Sequence, residues 1–86
     1  MSETLLEFPC EFPLKVMGRK EAGFQDVVVA LVEAHTGSLE SERIRLRESR
    51  DGNFIAVTVM IRAESQAQLD AIYRELSAHD RVLMAL

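Results

Sequence analysis

The spacing of apolar positions changes repeatedly along the chain, and each change marks an element. Leu14, Val16 and Gly18 alternate with Lys15 and Met17, the two-residue period of a strand with one face more buried than the other. Pro13 has no N–H to give to a ladder, which predicts that pairing starts at or just after it. From about residue 22 to 36 the period lengthens. Phe24, Val27, Val28, Leu31 and Val32 make a helical stripe that His35 continues. Gly37 stands where that helix ends, because glycine takes a positive φ at no steric cost. The valines lower intrinsic helix propensity, so this helix depends on what it packs against.

Alternation returns at Arg43-Ile44-Arg45-Leu46-Arg47, with Ile44 and Leu46 on one face and three arginines on the other. Arg50-Asp51-Gly52-Asn53 is turn chemistry and predicts a hairpin into a strand from Phe54 to Arg62. That strand sets Ile55, Val57, Val59 and Ile61 against Phe54, Ala56, Thr58 and Met60. Both faces are largely apolar, as in a central strand. Ser65 and Gln68 match a capping box, and Leu69, Ile72, Tyr73 and Leu76 form a second helical stripe ending near Ala78. Val82, Met84 and Leu86 alternate in a short last strand. The order β-α-β-β-α-β is the split βαβ of the α+β, ferredoxin-like fold. Right-handed crossovers then predict a two-layer sandwich, with an antiparallel sheet ordered 4-1-3-2 and both helices on one face.

With 86 residues the chain reads as one domain over 1–86, its first eleven residues an irregular lead-in. A hydrophobic fraction of 48% beside 28% charged residues argues against disorder. A chain of this size buries only about 60% of its unfolded surface, so the core is thin and a partner surface matters. No apolar run approaches the roughly 18 residues of a membrane span. The start, MSETLLEFPCEF, lacks the basic and long apolar parts of a signal peptide. One cysteine cannot form an internal disulfide, which fits the cytoplasm as the expected location. The net charge of −4 disfavours indiscriminate binding to nucleic acid or anionic lipid but leaves room for a local basic patch.

The candidate chemistry is sparse. A nucleophilic Cys10 needs a base. The topology puts His35 at the same lower end of the sheet and His79 at the opposite end, with no third group to orient either. Cys10 therefore reads as a small apolar residue, and no catalytic residues, metal or cofactor are expected. Three surfaces remain. Arg43, Arg45 and Arg47, with Lys15 nearby, are either a nucleic-acid or anionic-partner surface or charges that guard an edge strand against aggregation. RNA binding on this fold uses aromatics on the central strands, and only Phe54 is available, so nucleic acid is the alternative and not the leading partner. Met17, Met60, Met84 and Phe54 stand out as a group, and in the expected register Met17, Ala56, Thr58, Met60 and Leu83 leave the helix-free face partly apolar. Such a patch implies a homodimer or another protein. Lastly, the upper loops gather Arg19, Lys20, Arg50 and Arg81 beside Gly18 at the start of the first helix, whose free N–H groups and dipole favour a small anionic metabolite.

Leu6-Glu7-Phe8-Pro9, Lys15-Val16-Met17-Gly18, the Gly52-Asn53 turn and the spacing of Tyr73, Glu75, Leu76, Val82, Met84 and Leu86 together resemble the YbeD-like family of small, uncharacterised bacterial proteins. The likeness runs from about Leu5 to Leu86, and Phe54 stands where that family often has tyrosine. It implies a ferredoxin-like fold similar to ACT-type regulatory domains, which tend to bind small ligands near the first loop, often at a subunit interface. It implies no established activity. The expectation is a non-enzymatic regulatory or protein-interaction module, dimeric and binding a small anionic ligand in an ACT-like manner. Nucleic-acid binding on the basic open face is the alternative.

Overall fold

The computed structural model describes residues 6–86. In chain order it has β1 (Cys10–Arg19), α1 (Phe24–Thr36), a short 3-10 turn (Ser41–Arg43), β2 (Ile44–Glu48), β3 (Phe54–Ala63), α2 (Gln66–Ala78) and β4 (Val82–Ala85). The sheet runs β2-β3-β1-β4, the expected 4-1-3-2 order seen from the other edge, and every pairing is antiparallel. The two central strands pair along their whole length, from Cys10 opposite Ala63 to Arg19 opposite Phe54.

This register puts Leu14 and Val16 on the same side as Val57, Val59 and Ile61, all fully buried. Phe24, Val28 and Val32 of α1 and Leu69, Ile72 and Leu76 of α2 close over them. Each such side chain contributes about 1.5–3 kcal/mol by leaving water, so the sandwich rests on this one layer. Phe8, Cys10 and Phe12 pack, half-buried, at its lower end. There the Phe12 ring meets Tyr73 edge-on, with centroids 6.5 Å apart and planes at 86°.

Several expectations shift by a residue or more, each for a tertiary reason. β1 starts at Cys10 rather than after Pro13, so the irregular lead-in ends before residue 10; residues 1–5 lie outside the described part. Pro13 fits inside the strand because of the direction its nitrogen takes. Lys15 exchanges both backbone bonds with Leu86 on the β4 side, at 3.0 and 2.8 Å. Two residues earlier the Pro13 nitrogen points the same way, past the paired part of β4, and no ladder bond is lost. α1 starts at Phe24 rather than near 22, after a turn at Ala22-Gly23. Arg43 closes the 3-10 turn instead of opening β2. Leu46 faces the helix side opposite Val57 yet is 49% exposed, because the edge strand lies beyond the cover of the helices.

Gly37 and Gly52 both take the positive φ expected of them, 84° and 78°. The hairpin around Gly52 is fixed by side chains as well as by glycine. Asp51 accepts hydrogen bonds from the Ser49 hydroxyl at 2.7 Å and the Asn53 N–H at 3.1 Å. These hold its carboxyl below the usual carboxylate value, the Ser49 bond most of all. The capping box is half reciprocal. Ser65 Oγ accepts from the Gln68 N–H at 3.1 Å, but Gln68 Oε1 accepts from the N–H of Glu64, at 2.7 Å, not from that of Ser65.

Candidate functional site

The face of the sheet without helices is assembled by strict alternation. Lys15, Thr58 and Arg45 form one row across β1, β3 and β2, and Met17, Ala56 and Arg47 form the next. Arg19 and Phe54 stand opposite each other at the upper end of the two central strands. Of the residues singled out in the sequence, Lys15, Met17, Arg45, Arg47, Phe54 and Met60 thus share one surface. Its upper half holds a shallow groove of about 210 Å³, lined by Met17, Phe54, Ile55 and Ala56 together with Lys15, Arg47, Glu48 and Ser49.

The β4 part of this face differs from expectation. A register shift between Met17 and Gly18 pairs Met17 with Met84 and Gly18 with Val82. The irregularity leaves Leu83 unpaired in this register, so Met84, and not Leu83, stands beside Met17 on the open face. Val82 packs against the core, and Leu86 bonds alongside Lys15. Leu86 was therefore missed as a member of the surface, and Met84, grouped with Met17, Met60 and Phe54 from the sequence, takes the place that the expected register gave to Leu83. The simple alternation of Val82, Met84 and Leu86 concealed the shift. Arg19 and Arg62 were legible as members from parity with Lys15 and Met60, once the pairing is known.

Arg43 does not extend the arginine row. From the 3-10 turn it reaches over the lower margin of the face, donating to Glu11 Oε1 at 2.8 Å, Glu11 Oε2 at 3.3 Å and the Met60 carbonyl at 3.0 Å. The forked bond to the guanidinium holds the Glu11 carboxyl below its ordinary value, with desolvation opposing. Arg43 is thus a brace, whereas Arg45 and Arg47 are exposed.

The upper loops do not form the basic cluster expected of them. Arg81 does reach the start of α1, where its guanidinium donates to the Ala22 carbonyl at 2.7 Å and lies 3.3 Å from Glu21. Lys20 is paired with Glu48 at 2.9 Å. Arg19 shares the open face with Met17, on the other side of the sheet from α1. Arg50 is exposed in the hairpin turn. Gly18 is buried, and a Cβ there would meet the Phe24 ring and the Arg81 carbonyl, so it offers no room to a ligand. A depression of about 340 Å³ lies beside this loop, but Glu21 and Asp26 line it together with Lys20.

Cys10 is half-buried among core-edge residues. His35 Nε2 lies 3.1 Å from a Glu75 oxygen, at an angle poor for a hydrogen bond, and its backbone carbonyl accepts from Gln68 Nε2 at 3.0 Å. His79 Nδ1 accepts from the Arg81 N–H at 3.1 Å, just past the end of α2. The His79 imidazole thus engages the backbone just past α2, whereas at the end of α1 it is the His35 backbone carbonyl, not its imidazole, that is hydrogen-bonded. Among the described residues, no group of three or more His, Cys, Asp or Glu converges on one point, and no helix is long and apolar enough to cross a membrane.

Comparison with known proteins shows the family and the fold. A UPF0250 protein of Paraburkholderia phymatum is 40% identical over the whole chain and 97% of its own length. A UPF0250 protein of Azotobacter vinelandii is 46% identical, covering 94% of this chain and 89% of the relative. The solution structure of protein HP0495 from H. pylori superposes with a TM-score of 0.71 at 17% identity, over 98% of this chain and 88% of that one. The ACT domain from the GTP pyrophosphokinase of Chlorobium tepidum does so with a TM-score of 0.61 at 12% identity, over 90% and 97%. Both likenesses are of fold. A family model described as "Protein of unknown function (DUF493)" matches residues 3–86, and with relatives this similar the chain belongs to that family, as the YbeD-like resemblance led us to expect.

Proposed function

We propose that the chain is a non-enzymatic regulatory or protein-interaction module that works by docking a partner protein on the open face of its sheet. The observation that carries this is the asymmetry of the two sheet faces. The helix side buries the apolar core and leaves Leu46 exposed at its β2 edge, while the other side exposes Phe54 at a groove and Met84 and Leu86 farther along the same face. Apolar side chains gathered on one face of a small domain mark a contact surface. The regulatory part of the proposal draws on the fold shared with an ACT domain. A small anionic ligand at the upper loops has less support, since Lys20 and Arg81 already lie against Glu48 and Glu21.

The test is affinity purification from the native cell with mass spectrometry of proteins and metabolites, run in parallel for the wild type, Met17→Glu and the helix-layer control Arg74→Glu. Proteins held by the wild type and by Arg74→Glu should be lost with Met17→Glu. An unchanged protein set in Met17→Glu, or retention of metabolites alone, would refute the proposal.

A further inference from the structure

The face that carries the groove also gathers the positive charge of the chain. Lys15, Arg19, Arg45, Arg47 and Arg62 belong to it by strand parity, and Arg43 reaches over its margin. These are six of the ten basic residues in a chain with fourteen acidic ones. By strand parity Glu11 is the one carboxylate of the paired strands on that side, and Arg43 already holds it; Glu48, which also lines the groove, is paired with Lys20 at 2.9 Å, and Glu64 lies 3.4 Å from Arg62. The helical layer is the reverse: Asp26, Glu33, Asp70 and Glu75 stand there against Arg74. A chain of net charge −4 is thus polarised across its thickness, basic on the open sheet and acidic on the helices.

Resting on the proposed function, we infer that the open face docks an acidic segment of a different protein. One large apolar side chain of that segment enters the groove, and its carboxylates meet Lys15, Arg45 and Arg47. The groove volume of about 210 Å³ suits one such side chain, since cavities of about 150 Å³ already hold a benzene ring. Met17, unbranched and adaptable, lines the groove, and Met84 stands beside it on the same face, side chains of a kind that mould to a protein partner.

Charge decides against a second copy stacked face to face. A two-fold contact sets the same patch against itself, so Lys15, Arg45 and Arg47, without acidic partners among the described residues, would face the same basic patch on the copy. Like charges juxtaposed in an interface cost several kcal/mol. Nucleic acid shares the charge but not the surface. The central positions of β1 and β3 hold Met17, Ala56, Thr58 and Met60, and Phe54 is the one aromatic among them, so a stacking platform for bases is lacking.

The experiment uses labelled peptides of about ten residues, long enough in extended form to cross a four-stranded sheet. One alternates glutamate with leucine and phenylalanine. The others replace the apolar residues by serine, or the glutamates by lysine, and an oligouridylate serves as the nucleic-acid probe. Binding is read by fluorescence anisotropy and located by the methyl NMR signals of Met17, Met60 and Met84. The acidic apolar peptide should bind, shift those methyls and weaken with salt. The serine version should bind about tenfold more weakly, the loss of roughly 1.4 kcal/mol. Arg45→Glu with Arg47→Glu should abolish binding. Should that variant misfold by its methyl spectrum, Arg45→Gln with Arg47→Gln replaces it and should weaken binding. Equal or tighter binding of oligouridylate, or retained binding in the charge variants, would overturn the inference. Methyl shifts driven by the lysine peptide, or by self-association, would overturn the acidic partner and leave the docking face standing. Methyls unmoved by every probe and by concentration would remove both.

Discussion

Gly18 sits where the central strand passes beneath the start of α1, and its role is one of space. A Cβ there would lie 2.5 Å from the Phe24 ring and 2.6 Å from the Arg81 carbonyl oxygen. Phe24 is a fully buried anchor of the core, and the carbonyl belongs to the backbone beside β4, so neither yields cheaply. Gly18→Ala should destabilise by about 3 kcal/mol, the upper end of ordinary overpacking, in urea unfolding. Adding Phe24→Leu should not restore stability, because the carbonyl remains; a single variant within about 0.5 kcal/mol of the wild type would contradict this. Glu11 carries a different kind of prediction. Its carboxyl is lowered by the Arg43 fork, so the stabilisation is present above the ordinary carboxylate value and is lost as pH falls through the lowered folded value. Glu11→Gln should therefore melt slightly below the wild type at neutral pH, and the gap should close in acid. A gap that is constant with pH would mean the pair contributes nothing through charge.

At the level of elements, the two helices are tied at the lower end of the molecule by one side chain. Gln68 receives the Glu64 N–H, and its own amide donates to the last turn of α1 at the His35 carbonyl. Gln68→Ala removes both bonds and should cost about 1–3 kcal/mol, measured by urea unfolding. Ser65→Ala, which loses only the cap, should cost about 1 kcal/mol. If Gln68→Ala costs no more than Ser65→Ala, the inter-helix bond is idle. The same residue shows what a sequence can and cannot tell. Ser65 and Gln68 announced a helix start through their own spacing, but the Gln68 partners, one upstream and one in α1, follow only from how the helices meet. Periodicity placed every strand and helix, because burying one face leaves its mark on each local stretch. It could not place Arg43, since the 3-10 turn that lifts it off the strand obeys the Met60 carbonyl and Glu11 of other strands. Nor could it see the register shift opposite Met17, which exists only between β1 and β4. The open face was legible in its central members and blurred at that edge.

For the molecule as a whole, the basic face poses a choice between structure and function. Charges on the edge strand β2 protect the sheet from pairing with other chains, and charges on a docking face attract a partner; stability and solution behaviour separate the two roles. Arg43 braces Glu11 and the Met60 carbonyl, so Arg43→Ala should lower the melting temperature. Arg45 and Arg47 are exposed, stand opposite Thr58 and Ala56, and have no acidic partner among the described residues. Changing both to Gln should leave stability within about 0.5 kcal/mol, as surface substitutions without partners do. It should also relieve like-charge repulsion between Arg45 and Arg47 along β2 and across the row that Arg45 shares with Lys15. If edge protection were their whole role, the double variant would remain stable but aggregate on concentration, and binding of the acidic apolar peptide would survive in the monomer fraction. If they serve docking, the variant remains monomeric by sedimentation while peptide binding falls. A large loss of stability would instead make Arg45 and Arg47 structural, and the basic face would then owe its charge to folding and not to a partner.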